Sequence, residues 1–316
     1  MEGKIKGVPP SRWVDLEGPV HYVDYGGPDD GPLLVCVHGL GGSLVNWAAV
    51  APVLARTNRV LALDLAGFGR TRGSGRSTAV SANRALLHRF LTEVAGTPAI
   101  LVGNSMGGTI AAMQAAAYPE TVAGLVLVNP AVPWQLRSQV NPRTTAMFVA
   151  LALAAAARAI TADRGRTRTP DQRVWDILRF CCADASRIPA DIVEQHILAA
   201  RERGRNRDTD AELRTAARSL MGILARRRQF AAMLRRIRGP VLLLHGDRDR
   251  LVPIGAARAA AAANPTWRFQ VAAGVGHIPQ LEVPDWTISR ITEWLTGDGV
   301  TAAESARAAF PPARRS

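Results

Sequence analysis

The sequence predicts an α/β fold, a mostly parallel, doubly wound sheet with an inserted helical block. Three observations carry that expectation. The runs Leu33–Val37, Ile100–Val102, Val122–Val128 and Val241–Leu244 are unbroken apolar stretches, the composition of strands buried on both faces of a parallel sheet. Helix-forming segments alternate with them, as right-handed crossovers between parallel strands require. The alternation stops at Ala131 and resumes only at Val241, with helical patterns alone in between.

Taken in order, Arg12 to Leu16 and Val20 to Tyr25 read as opening strands joined by the turn Glu17-Gly18-Pro19. Leu33–Val37 runs into His38-Gly39-Leu40-Gly41-Gly42-Ser43, and a helix carrying Trp47, Val50 and Leu54 follows. Val60–Leu65 closes on D-L-A-G-F-G-R around Asp64 and Gly69, which is given a structural role. A helix is expected over Val80–Ala95, then the strand from Ala99 and its helix. The inserted block shows helical patterns at Thr144–Ile160, Asp171–Cys182, Ile192–Arg203 and Ala211–Leu234, punctuated by Pro170 and Pro189. After Val241–His245 come a helix near Ile254–Ala263, a strand at Trp267–Val271 and a last helix near Asp285–Leu295. The expected division is a core of residues 1–130 and 239–297, a helical cap of 131–238 seated over the sheet's C-terminal edge, and a disordered tail of 298–316.

Composition excludes several classes. No apolar run reaches the roughly 18 residues that span a bilayer, and the N-terminus lacks the apolar segment of a signal peptide. A soluble, cytoplasmic protein is expected. Three cysteines, Cys36 within a strand and the pair Cys181–Cys182, do not make a disulfide framework, and no Cys/His cluster accompanies them. The formal charge of +13 is nearly all arginine. Without a helix-turn-helix, zinc or RNA-binding signature, that charge does not indicate nucleic-acid binding. Arginines cluster at Arg164, Arg166, Arg168 and Arg173, at Arg201, Arg203, Arg205 and Arg207, and at Arg226 to Arg228. They read as solvated faces, with peripheral contact to an anionic substrate or lipid surface as the sharper reading.

The chemistry centres on A-I-L-V-G-N-S-M-G-G, residues 99–108. An apolar strand passing through G-x-S-x-G into a helix is a nucleophile elbow: a sharp turn that exposes the Ser105 hydroxyl above the sheet. Gly103 and Gly107 flank it because a Cβ there would strike the neighbouring strand or helix. A serine becomes a nucleophile only with a base, an orienting acid and donors for the oxyanion. Among six histidines, His277 stands in G-V-G-H-I-P-Q-L-E-V-P, a loop between the last strand and last helix and therefore at the same sheet edge. His38 precedes a tight turn, His245 closes a strand, His21 lies in an edge strand, and His88 and His196 sit in helical patterns. The acid is sought in L-L-L-H-G-D-R-D-R-L-V-P, where Asp247 and Asp249 both follow the strand.

G-N-S-M-G, G-D-R-D-R-L-V-P and G-H-I-P-Q-L-E-V-P together resemble the α/β-hydrolase superfamily in order and spacing, over Leu33–Val128 and Val241–Leu295. The resemblance implies Ser105 as nucleophile, His277 as base and Asp249, rather than Asp247, as acid. It also implies an oxyanion hole of the Leu40 and Met106 amides. Some relatives draw the acid from the strand after the elbow, but Asn129 stands there and cannot carry the charge. No metal or organic cofactor is implied. A serine elbow disfavours dehalogenases and epoxide hydrolases. The elbow is similar to that of carbon–carbon hydrolases of ring-fission products, yet Ile278 and G-L-G-G-S depart from their pattern. The leading expectation is a carboxylesterase or lipase acting on a small-molecule ester or acyl substrate. A carbon–carbon hydrolase, lactonase or thioesterase, and a non-catalytic ligand receptor on the same fold, are the alternatives.

Overall fold

Side-chain alternation decides which face of the sheet each strand residue serves. In the computed structural model, which describes residues 8–73, 75–133, 169–203 and 209–299, the odd-numbered residues Leu33, Val35 and Val37 join Leu61, Leu63, Leu101, Leu125, Leu127 and Leu243 in one buried cluster. The even-numbered Leu34 and Cys36 join Val60, Ala62, Ile100, Val102, Val126, Val128 and Leu244 in a second. Both faces are covered, and the continuous apolar runs follow from that.

The strands are β1 (Arg12–Asp15), β2 (Pro19–Gly26), β3 (Leu33–Val37), β4 (Arg59–Leu63), β5 (Ala99–Asn104), β6 (Val122–Val128), β7 (Val241–Gly246) and β8 (Arg268–Ala272). They form one eight-stranded sheet in the order β1-β2-β4-β3-β5-β6-β7-β8. β1 and β2 run antiparallel to their neighbours, and the rest are parallel. From β3 the chain moves one way to β4 and then returns past β3 to β5. Such a reversal opens a crevice at the carboxyl ends of β3 and β5.

The helices are α1 (Ala51–Leu54), α2 (Val80–Phe90), α3 (Met106–Ala117), α4 (Pro170–Cys181), α5 (Ala190–Arg203), α6 (Thr209–Ala225), α7 (Arg227–Leu234), α8 (Ile254–Ala262), α9 (Pro279–Glu282) and α10 (Pro284–Trp294). α4 starts as its sequence dictates. Pro170 takes the first helical position, and the Thr169 and Gln172 side chains reciprocally accept each other's backbone N–H at 3.2 and 3.1 Å. One expected helix, Ala211–Leu234, is two. Arg226 leaves helical geometry at ψ 57°, and its amide turns to Ile223 O at 3.1 Å. The helices joining β6 to β7 divide between the two faces, α4 and α5 with the second cluster and α6 and α7 with the first. The expected helix Thr144–Ile160, the arginines at 164, 166, 168, 205 and 207, and the tail beyond residue 299 lie outside the described residues. Among the described residues no helix is long and apolar enough to cross a membrane.

Two imidazoles are sealed in the core. His38 accepts the Leu65 amide at Nε2 (3.0 Å) while Nδ1 donates to Gly39 O (2.8 Å), which fixes a neutral tautomer. His245 Nε2 donates to Val252 O at 2.9 Å. Burial lowers the pKa of both rings, only partly offset by Asp64 for His38 and by Asp249 for His245.

Two outcomes follow from this packing. A Cβ on Gly107 would lie 2.2 Å from Val37 O and 2.5 Å from His38 O, so Gly107→Ala should destabilise the protein by about 3 kcal/mol in urea unfolding, the overpacked extreme; a loss within 0.5 kcal/mol would show that β3 can retreat. Because His38 and His245 titrate lower folded than unfolded, their stabilisation is complete above about pH 6.5 and is lost as the pH falls below it. Each contributes up to about 1.4 kcal/mol per pH unit in that window. The urea midpoint should drop between pH 7.5 and pH 5; a flat profile would contradict neutral burial.

Candidate active site

Ser105 sits where β5 meets α3, with φ 54° and ψ −120°. That region is adopted almost solely by glycine and costs roughly 1–3 kcal/mol elsewhere. The residue is held there from both sides. Its amide donates to Val128 O at 3.1 Å, and its carbonyl accepts Thr109 N and Ala131 N at 3.1 and 3.0 Å. Gly107 lets the first turn of α3 lie against the end of β3. Met106, as the first residue of α3, has an amide with no intrahelical acceptor.

Leu40 lies opposite, after β3. Gly42 N donates to Gly39 O at 3.1 Å, and Gly41 takes φ 74°. This is the pattern of a type II turn with Leu40 at its first corner. Neither the Leu40 nor the Met106 amide donates to an acceptor among the described residues. The chain after the turn is pinned by Asp64, which accepts the Leu44 amide (2.8 Å), the Arg70 amide (2.8 Å) and His21 Nδ1 (2.7 Å). Burial pushes the Asp64 pKa up, but its hydrogen bond and charge interaction with His21, with help from His38 and the Arg70 N–H, carry it below the ordinary carboxylate value. The structural role read for this loop thus has a concrete form: a buried carboxylate that gathers three segments beneath the Gly-rich turn.

His277 follows β8, and its Nδ1 lies 2.7 Å from Asp249 Oδ2. Both are buried. Asp249 Oδ1 accepts the Leu251 and Val252 amides at 2.7 and 3.0 Å, which fixes the carboxylate's plane. Burial alone would raise the Asp249 pKa; His277, then His245 and Asn129, outweigh it and bring the group below its usual range. An ionised Asp249 is therefore the form facing the imidazole. Asp247 points elsewhere, accepting Gly274 N at 2.7 Å as a turn carboxylate.

Two asparagines outside the expected catalytic set join these pieces. Asn129, at φ 44°, donates to Asp249 Oδ2 (2.7 Å) and Gly276 O (3.2 Å) and accepts Gly246 N (3.3 Å). Asn104, immediately before Ser105, donates to His277 O at 3.2 Å and to Val128 O at 3.0 Å. The serine and the imidazole are thereby tied to one rim of the sheet through adjacent residues. The position before each strand-end turn was the only sequence signal available for either.

Other expectations are corrected by contacts. Arg203, read as part of a solvated cluster, donates to Gly67 O at 2.8 Å and lies 5.0 Å over the Phe68 ring. It is a packed link between α5 and the Asp64 loop. Arg201 remains exposed, as its cluster was read, and pairs with Asp171 at 2.6 Å between α5 and α4. Among the described residues no group of three or more His, Cys, Asp or Glu side chains is placed to hold a metal ion.

The alpha/beta hydrolase fold family matches residues 32–284 of the chain. Among individual relatives, the dihydrolipoyllysine-residue acetyltransferase component of the acetoin cleaving system of Cupriavidus necator is 29% identical over 273 residues, covering 86% of this chain and 65% of that protein. The corresponding protein of Pseudomonas putida is matched over 66% of its length, so the chain spans just under two thirds of both. Monoacylglycerol lipase ABHD6 of Rattus norvegicus is 23% identical over 289 residues, 87% of this chain and 81% of that one. Two solved structures share the fold. Cfl2 of Burkholderia cenocepacia has a TM-score of 0.76 at 22% identity, covering 90% and 95% of the two chains. A thermophilic esterase from Thermogutta terrifontis has a TM-score of 0.67 at 22% identity, covering 91% and 98%. The strand order, the serine turn and the match across the body of the sequence lead to one conclusion: the chain belongs to the alpha/beta hydrolase fold family.

Proposed function

We propose that this hydrolase cleaves carboxylic esters through an acyl-enzyme on Ser105. The observation that supports it most directly is the backbone of Ser105. A non-glycine residue kept at φ 54° and ψ −120° by three hydrogen bonds stores strain that sheet formation does not require, the backbone of a nucleophile elbow.

In this reading His277 Nε2 removes the Ser105 proton as Oγ attacks the ester carbonyl carbon, and the carbonyl π electrons move onto oxygen. The Leu40 and Met106 amides stabilise that oxyanion. Collapse of the tetrahedral species expels the alkoxide, which takes the proton from His277 and leaves as the alcohol. Water, deprotonated by His277, then attacks the acyl carbon; the second tetrahedral species expels Ser105 Oγ, which takes the proton back from His277, and the carboxylic acid leaves. Asp249 keeps the Nδ1 proton of His277 in place and stabilises the imidazolium formed in each half-reaction. Lipase and esterase names among the relatives are consistent with this class. Residues 131–238 are given the role of a cap that selects the acyl and alcohol groups, since α5 packs against the segment at Leu44 and Arg179 O of α4 accepts Arg250 Nη1 at 3.4 Å.

Hydrolysis of a short p-nitrophenyl ester should fall at least about a thousandfold in Ser105→Ala, with loss of fluorophosphonate labelling and an unchanged urea midpoint; labelling that persists would overturn the assignment. Asp249→Asn should retain the fold and lose about ten-thousandfold in kcat, because the amide favours the wrong tautomer of His277. A panel of acyl esters beside a vinylogous dienoate should show turnover of the esters; preference for the dienoate would replace ester cleavage with carbon–carbon cleavage.

A further inference from the structure

Glu282 is a carboxylate with 1% exposure, and it pairs with no arginine, lysine or histidine among the described residues. Its carboxylate gathers backbone amides from two separate parts of the chain, and the Cys182 side chain hydrogen-bonds it as well. Oε2 accepts Gly276 N at 2.8 Å and Ala183 N at 3.1 Å, and Oε1 accepts Asp184 N at 2.9 Å. Gly276 directly precedes His277, and Ala183 and Asp184 directly follow α4 and Cys182. A further bond closes the same seam, from His277 N to Cys181 O at 2.7 Å. The two backbones touch. A Cβ on Gly276 would stand 2.3 Å from Cys181 O and 2.6 Å from Ala183 N.

The imidazole loop is therefore gripped from two directions. On the sheet side, Asn129 and Asn104 hold the carbonyls of Gly276 and His277. On the other side, Glu282 and Cys181 hold the amides of those same two residues. A buried carboxylate bound by three N–H groups forms charge-assisted bonds of about twice ordinary strength, and its removal would orphan all three donors. Sheet and connecting helices thus share control of two consecutive residues.

Resting on the reading of His277 as the base, we infer that Glu282 is a positioning residue that fixes His277 to the end of α4. Displacement of the helices between β6 and β7 is then transmitted to the imidazole as a shift relative to Ser105. The coupling takes hold of the end of α4 by the backbone groups of Cys181, Ala183 and Asp184, so it needs no side chain of α4 itself. Substrate that seats those helices would seat the base with them.

Glu282→Gln is the decisive variant. It keeps shape and burial but turns an NH2 group toward N–H donors, whereas Glu282→Asp keeps the charge on a shorter arm. The expected result for Glu282→Gln is a loss of roughly tenfold to a hundredfold in kcat on the p-nitrophenyl ester, as misplacement of a catalytic group gives, with KM little changed and the acid limb of the kcat profile displaced. Glu282→Asp should recover part of that loss. Nitrogen-15 spectra of the His277 ring, assigned with His277→Gln, should show a changed resonance and titration. The urea midpoint and near-ultraviolet circular dichroism report folding separately. Wild-type kcat and an unmoved His277 resonance would overturn the inference, as would a loss of activity that merely follows the folded fraction. The ring spectrum does not depend on turnover. If Ser105→Ala remained active, the reaction assigned above would fall while the spectrum still decided what Glu282 does to His277.

Discussion

A serine in a glycine-only region of backbone space persists only where its surroundings leave it no alternative. At Ser105 the constraint is met by Val128 O, Thr109 N and Ala131 N, all within 3.1 Å of its own amide or carbonyl. Those partners belong to β6, to α3 and to the segment leaving β6. The turn is thus fixed by the parallel pairing of β5 with β6 and by the seating of α3 across the sheet. Relaxing either would let Ser105 fall into an ordinary helix start, with its hydroxyl used as a cap rather than exposed. The rest of the site is arranged around a residue whose backbone the fold has already set.

The same logic explains why the site collects at strand ends. The reversal between β3 and β5 leaves both their carboxyl termini uncovered by crossovers, so the Leu40 turn and Ser105 face one crevice. Asn129, Asp249 and His277 then follow β6, β7 and β8 in spatial order. An Asn rather than a carboxylate after β6 is informative. A second anion beside Asp249 would raise the pKa of one of the pair, whereas the Asn129 amide donates to Oδ2 and helps hold the carboxylate ionised.

Strands were legible because burial on both faces requires unbroken apolar residues, and the sequence supplies them at β3, β5, β6 and β7. The serine turn was legible because close backbone approach excludes a Cβ at Gly107. What was not legible depended on distance. Asn129 meets a carboxylate 120 residues away, and Asn104 meets a carbonyl 173 residues away; neither contact leaves a local pattern. The break at Arg226 carries no proline or glycine, since a single i to i−3 bond produces it. Arg203 reads as surface because charge is the only property its sequence context shows, while its place over Phe68 comes from tertiary packing.

A Ser–His–Asp chain is also present at Ser11, His21 and Asp64, and it shows what three side chains alone cannot do. Ser11 Oγ lies 3.0 Å from His21 Nε2, and His21 Nδ1 lies 2.7 Å from Asp64 Oδ2. By side-chain geometry this matches the pairing of His277 with Asp249. Its surroundings differ in each respect that matters for acyl transfer. Ser11 has no left-handed backbone strain, and no helix start follows it to offer free amides for an oxyanion. Its oxygen instead accepts Arg70 Nη1 at 2.5 Å, while that guanidinium is clamped to Glu202 of α5 by two bonds of 2.9 Å. A serine oxygen occupied by a guanidinium has a lone pair committed to structure, and the Asp64 carboxylate spends its remaining capacity on the Leu44 and Arg70 amides. The Ser11 constellation therefore braces the Gly-rich turn against α5. What distinguishes Ser105 from it is the strained turn and the amides of Leu40 and Met106, which meet no acceptor among the described residues; these are properties of backbone, and backbone is what the order of strands in this sheet determines.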